Sequence, residues 1–235
     1  MKILMIAPTP FFSYRGCHIR VLSSYLRLKD HGHNILILTY PLGRTISGVN
    51  IKRTIKIPTY KNISPGFNIY KPFLDFLLLI KTYKELIIND YDQIYAHLHE
   101  GALIGLLTKP IFRKPIIFDA QGSLTGELVS NQTINRNTII YKILFQIEKF
   151  IANQVNSIVT STQSLKDFIK KKFKPKSKVK VIEDLPNKKL FNTKVKPAKV
   201  DLPRDKKIVV YLGGLQPNKG IDYLLEAIPL TDKSF

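Results

Sequence analysis

A loop that ends in a glycine follows the first apolar segment of the chain. Residues 8–18 have the sequence PTPFFSYRGCH, so Arg15 and Gly16 stand where a helix is predicted to begin. Glycine lets the backbone approach a phosphate closely, and the free N–H groups of a helix start attract anions. A plain tight turn is the alternative, because the dinucleotide fingerprint G-x-G-x-x-G and the P-loop pattern are both absent.

Histidines mark a second candidate position. Residues 95–102, YAHLHEGA, contain His97 and His99, which would point the same way on an extended segment. Together with Glu100 they could ligate a metal, but no further cysteine or histidine cluster supports such a site. The alternative is a histidine that caps a helix or is satisfied in the core.

Small and polar residues follow the next strand. Residues 119–127, DAQGSLTGE, contain Asp119, Gln121 and Ser123, which could hydrogen-bond a hydroxyl-rich ligand. Helix capping by Ser123 or Thr125 is the alternative.

Near the end of the chain, residues 211–220 have the sequence YLGGLQPNKG. An apolar segment runs into Gly213, and Lys219 lies at a helix start. This arrangement is typical of a pyrophosphate held by a cation and backbone amides.

Short apolar runs alternate with helical patterns, which predicts a Rossmann-like, doubly wound α/β fold with a parallel sheet. The predicted strands are Lys2–Ala7, Asn34–Thr39, Ile51–Ile57, Gln93–Ala96, Pro115–Asp119, Ser157–Thr160 and Lys178–Ile182. The predicted helices are Gly16–Asp30, with Gly32 as its C-terminal cap, Pro72–Ile88, Gly101–Lys109, Asn137–Asn153 and Gln163–Lys172.

The pattern restarts after a linker. Residues 1–182 are predicted to form the first domain, residues 183–203 a linker, and residues 204–235 the truncated start of a second Rossmann-like domain. That start contains a predicted strand, Lys206–Leu212, and a predicted helix, Ile221–Ile228. A lone βα unit cannot cover both faces of its strand, so we expect the chain alone to be a poor catalyst or inactive.

Composition limits the classes of function. The net charge is +20, which attracts polyanions or merely reflects solvated lysines. The single cysteine, Cys17, suits a reducing cytoplasm, and no apolar run is long enough to span a bilayer.

Taken together, these loops resemble glycosyltransferase family 4, which has the GT-B fold. The matching residues are the opening strand with Gly16, then Gly32-His33-Asn34, Ala96 to Ala102, Ser157 to Ser161, and Lys219-Gly220 with Leu224 to Ala227. The resemblance covers nearly the whole chain in the family's order. It implies a retaining enzyme that transfers a sugar from a nucleotide sugar to a glycan or lipid-linked acceptor, as in cell-envelope glycan synthesis.

The resemblance also implies roles for single residues. His99 would contact the donor sugar as the catalytic residue. Asp119, Gln121 and Ser123 would lie on the acceptor side. The donor diphosphate would be held by Arg15, Gly16, Gly213 and Lys219, and neither a cofactor nor a metal is required. Gly214 departs from the family, which usually has arginine there, and the family's paired glutamates would lie beyond Phe235.

Two other functions compete with this prediction. The chain could be a non-catalytic, acceptor-binding half that works with a separately encoded C-terminal half, or a gene remnant. A nucleic-acid-binding module would also fit the charge, but no recognised motif supports one, so nucleic acid is not an expected partner. The apolar helix Pro72–Ile88, with its lysines, could rest on an anionic membrane surface or be sandwiched in the fold. The expected location is the cytoplasm, peripheral to the inner face of the membrane.

Overall fold

The computed structural model contains one parallel sheet of seven strands. It describes residues 1–13, 15–61, 70–184, 193–196, 199, 208–213, 215 and 219–231. The strands are β1 (Lys2–Ala7), β2 (Asn34–Thr39), β3 (Ile51–Arg53), β4 (Gln93–His97), β5 (Ile116–Ala120), β6 (Ser157–Thr160) and β7 (Lys178–Val181). Their order across the sheet is β3-β2-β1-β4-β5-β6-β7, which confirms the predicted doubly wound α/β fold.

Helices connect most of these strands. They are α1 (Gly16–Asp30), α2 (Lys71–Ile88), α3 (Leu98–Phe112), α4 (Leu124–Ser130), α5 (Ile139–Gln154), α6 (Gln163–Phe173) and α7 (Ile221–Ala227), followed by a 3₁₀ turn (Ile228–Leu230). Gly32 has φ of 77°, a left-handed conformation that suits glycine, and it follows α1 as predicted.

Two cores lie on opposite faces of the sheet. Alternate residues of β1 point to each side, so Leu4 and Ile6 pack on α2, α3, α5 and α6, whereas Ile3 and Met5 pack on α1. Connections between parallel strands are right-handed. Because the strand order reverses between β1 and β4, the helices before and after this point cover opposite faces of the sheet. The carboxyl ends of all seven strands meet at one edge, here called the carboxyl edge.

Three predicted elements differ from the structure by three or more residues. β3 ends at Arg53 rather than Ile57, because the residues after it have no strand to pair with at the sheet edge. The predicted strand Lys206–Leu212 is wrong where it is described: residues 208–212 are exposed and form no ladder with any described strand. Finally, α3 begins at Leu98, three residues earlier than predicted.

The sequence pattern missed α4, which has seven residues and is too short to show a helical period. Most of the predicted linker, 183–203, lies outside the described residues, so the domain boundaries remain predictions.

Candidate active site

The loops after β1 and β4 adjoin at the carboxyl edge, because these two strands are neighbours. Gly101, in the first turn of α3, packs directly on the end of β1. A Cβ atom at Gly101 would come within 3.0 Å of the Ile6 carbonyl oxygen and 3.2 Å of Cδ of Pro8. The start of α3 therefore touches the start of the loop that leads to Gly16, at the switch point where open α/β sheets bind ligands.

His18, in the first turn of α1, fixes the loop that precedes it. The Ser13 amide donates to Nδ1 at 2.8 Å, so Nε2 carries the proton and donates to Thr9 Oγ1 at 2.6 Å. Burial lowers the pKa of His18 to about 4, which keeps the imidazole neutral near pH 7. Gly16 is exposed beside this anchored loop, and a Cβ atom there would meet nothing within 4 Å.

A buried chain of polar groups connects α1, β5 and β4. Arg20 donates to Oδ1 of Asp119 from Nε at 2.9 Å and from Nη2 at 2.7 Å, and its Nε also lies 3.0 Å from Oδ2. His97 Nδ1 lies 2.9 Å from the same Oδ2, which also accepts from Gln121 at 3.2 Å. Arg20 continues the chain through Nη1, which donates to Asp184 at 2.7 Å.

These contacts determine the ionisation of Asp119 and the position of the proton on the His97 ring. Burial alone would raise the pKa of the Asp119 carboxyl, but the hydrogen bonds and charges of His97 and Arg20 hold it below its usual value. An ionised carboxylate only accepts hydrogen bonds, so His97 Nδ1 must carry a proton. His97 Nε2 is buried and has no hydrogen-bond partner within the part of the chain that is described.

The expectation that His97 and His99 point the same way is wrong. β4 ends at His97, and Leu98 turns the chain into α3 with φ of 61°. His99 consequently lies on a helix, with its ring edge-on to Phe118 and its Nε2 3.3 Å from Glu148.

Glu148 connects His99 to the start of α4. Its buried carboxylate accepts from the amides of Leu124 at 2.7 Å and Thr125 at 3.2 Å, and from the Thr125 hydroxyl. A carboxylate at a helix N-terminus is favoured by the free amides there. Ser123 accepts from the Gly126 amide at 3.1 Å, so it is the N-cap of α4, as one of the two sequence interpretations required.

A second polar cluster lies at the carboxyl edge beyond β2. Tyr40 donates to Asp75, in the second turn of α2, at 2.5 Å, and Lys71 forms an ion pair with Glu100 in the first turn of α3. Burial raises the pKa of Asp75 to about 7, against the opposing effect of the Tyr40 hydrogen bond. This carboxyl group can therefore exchange a proton near neutral pH.

The remaining predicted residues lie in the last described segments. Lys219 is exposed, and Gly220 after it is the N-cap of α7 with φ of 67°. Gly213 is exposed, and Gly214 falls outside the described residues. Neither Gly213 nor Lys219 has a described hydrogen bond or ion pair to the loops at the carboxyl edge, so their roles remain predictions.

Sequence reasoning missed several of these polar groups. Arg20 lies on the buried side of α1, where an arginine is unexpected, and that position was the available clue. The pairing of His97 with Asp119 follows from the β4–β5 register, which places them opposite each other. No cluster of three His, Cys, Asp or Glu side chains able to hold a metal occurs among the residues that the structure describes.

Comparison with known proteins identifies the fold. No protein-family model matches the chain. An uncharacterised glycosyltransferase of Methanocaldococcus jannaschii is 26% identical, over 97% of this chain and 59% of its own length. Sucrose-phosphate synthase from Thermosynechococcus elongatus superposes with a TM-score of 0.76 at 16% identity, over 97% of this chain and 59% of that one.

The fold is that of the GT-B glycosyltransferases. HepE of Anabaena, crystallised with UDP and glucose, superposes with a TM-score of 0.54 at 15% identity, over 78% of this chain and 44% of its own. The chain spans 59% of the length of the Methanocaldococcus protein and of sucrose-phosphate synthase. By resemblance to these proteins it is related to transferase enzymes.

Proposed function

We propose that this chain is part of a retaining, family 4-like glycosyltransferase that moves a sugar from a nucleotide sugar to a glycan or lipid-linked acceptor. The observation that carries the proposal is the exposed, glycine-opened start of α1 at the β1–β4 switch point of a GT-B fold. The complexes of HepE with UDP and with UDP-glucose support a nucleotide-sugar donor.

In this proposal, positive potential at the carboxyl edge stabilises the leaving diphosphate. The amides at the start of α1 and the Arg15 side chain act from one side, while Gly213 and Lys219 act from the other. Charge that develops on the leaving group is stabilised best by donors already in place, and the hydrogen bonds of His18 hold the loop before Arg15 in place. The proposal includes no metal and no cofactor.

The acceptor would bind beside the loops that leave β4 and β5. His99 is proposed to contact the donor sugar, while Gln121 and Ser123 face the acceptor. The carboxylate of Asp119 is completely buried, so its contribution is to position His97 and Gln121 rather than to touch the acceptor. The proposed setting is envelope glycan synthesis at the cytoplasmic face of a membrane. No helix among the described residues is long and apolar enough to cross one.

Arg15 gives a direct test. We expect UDP-glucose to shift the backbone amide signals of Gly16 and Cys17 in ¹⁵N-edited NMR spectra of the chain. Binding should be weak, because the residues proposed to hold the donor contact only its diphosphate. Arg15→Ala should weaken it about tenfold, since one charge-assisted hydrogen bond is lost.

Arg27→Ala is the matched control, because Arg27 lies exposed in the last turn of the same helix. Equal weakening by both variants would mean that net charge alone attracts the ligand. Tight binding by this chain would contradict a donor site that contacts the diphosphate alone. Titrating other nucleotide sugars in the same way ranks the donors.

A further inference from the structure

The outward face of α2 is apolar. The helix buries Leu74, Leu78 and Leu86 in the core, and Leu79, which is partly buried, packs against the same core. On the opposite side, Phe73 is 51% exposed, Phe76 55% and Ile80 50%. Exposed apolar residues that follow one helix face mark an interaction surface more often than singly scattered ones do.

A second apolar face lies on α5. Ile139 is 71% exposed, Ile140 55% and Ile143 54%. Glu148 of this helix meets His99 at the carboxyl edge, and α5 then runs to the opposite edge, where β6 begins. The first turns of α5 therefore project past the carboxyl edge. Both α2 and α5 pack on α3, so the two faces belong to the same helical layer.

Charge is segregated on these two helices. Their acidic side chains all have partners within the fold: Asp75 accepts from Tyr40, Glu85 from Lys52, and Glu148 from His99 and Thr125. The exposed ionisable residues of α2 and α5 are all lysines, namely Lys84, Lys142 and Lys149. The outward faces are consequently apolar and positive, without an exposed negative charge.

The neighbouring helix α6 shows that this pattern is not general. Its exposed positions are polar or charged and include no large apolar residue; they are Gln163, Ser164, Asp167, Lys170, Lys171 and Lys172. Exposed lysines therefore also occur on α6, where they lie among polar side chains. On α2 and α5 the exposed lysines lie among exposed aromatic and aliphatic side chains.

We infer that the outer faces of α2 and α5 seat the protein on an anionic lipid bilayer, with the carboxyl edge turned toward the membrane. Apolar side chains enter the boundary between headgroups and acyl chains, while lysines contact anionic headgroups. This surface is defined by Phe73, Phe76, Ile80, Ile139, Ile140 and Ile143. The inference rests on exposed side chains and charge, independently of the proposed transfer reaction. If that reaction is correct, docking would present the site to a lipid-linked acceptor.

Vesicle flotation tests the inference. The chain should float with vesicles of phosphatidylcholine and phosphatidylglycerol, and stay unbound with phosphatidylcholine alone. K84E/K142E/K149E should reduce partitioning on the order of 100-fold, since each lysine near an anionic surface contributes about a fivefold step. F76S/I80S and I140S/I143S should each reduce it at least about tenfold.

Matched controls use the same changes elsewhere. K170E/K171E/K172E alters the net charge equally on α6, and I88S/I111S removes two exposed apolar side chains at the ends of α2 and α3, on the edge opposite the carboxyl edge. Both should bind nearly as the unmodified chain does. Equal loss with either control, or flotation with neutral vesicles, would overturn the inference. So would a dimer in sedimentation that F76S/I80S dissolves, because a second copy would then cover this face. A negative result in the flotation experiment would not change the result expected for the UDP-glucose titration.

Discussion

Asp119 is the residue on which the buried polar chain of the site depends. It accepts from Arg20, His97 and Gln121 at once, and its side chain is fully buried. Removing one member of such a group leaves a buried charge without its partner, which costs more than the pair itself contributes. Asp119 therefore links the stability of the domain to the geometry of His97.

Asp119→Asn should lower the free energy of unfolding by about 3 kcal/mol, because the Arg20 guanidinium loses its buried counter-charge. Asp184→Asn is the control, since Asp184 is bonded to the same guanidinium but is 61% exposed. Its substitution should cost less than about 1 kcal/mol. Urea denaturation of both variants measures the difference. Similar losses would show that the carboxylate in the core is not the one that holds Arg20.

At the start of α3, packing against other elements determines the structure more than local helix propensity does. Gly101 allows α3 to touch the Ile6 carbonyl oxygen, so the loops after β1 and β4 share one wall. Gly16 begins α1 in open space, where a larger residue would fit. The two glycines therefore have different tasks: close packing at Gly101 and, in our proposal, room for a ligand at Gly16.

Substituting each glycine by alanine separates these tasks. Gly101→Ala should destabilise the fold by about 1–3 kcal/mol, because the added methyl group meets backbone and a proline ring that cannot move aside easily. Gly16→Ala should leave the unfolding free energy within about 0.5 kcal/mol yet weaken the response to UDP-glucose. Thermal and urea unfolding with the NMR titration measure both effects. A stable Gly101→Ala variant would argue against the tight contact between α3 and β1.

Elements with clear limits in the sequence could be predicted to the residue. The bounds of β1, α1, β2 and β6 agree with the structure, because the strands are short apolar runs and Gly32 stops α1. α4 escaped prediction because capping by Ser123 and Glu148 forms it, and Glu148 is distant in sequence. For the same reason the His97–Asp119 pair could not be foreseen: it depends on the register between β4 and β5.

At the scale of the whole molecule, the net charge of +20 is the dominant feature, and its distribution matters more than its size. Lysines on α6 lie among polar residues, whereas those on α2 and α5 lie among apolar ones. A polar, positive face attracts any polyanion through screened charge alone. An apolar, positive face also gains free energy when its apolar side chains are buried, and salt does not weaken that contribution.

This distinction predicts how the chain responds to DNA. Duplex DNA should bind weakly at low salt and be released near physiological ionic strength, because phosphate contacts alone depend steeply on salt. K84E/K142E/K149E and K170E/K171E/K172E should reduce this binding about equally, since each removes the same charge, whereas only the first should strongly reduce vesicle binding. Mobility shift across a salt series measures the effect. DNA binding that survives physiological salt and depends on sequence would instead show a nucleic-acid site, and would make the lysine-rich surfaces a recognition feature rather than a source of general attraction.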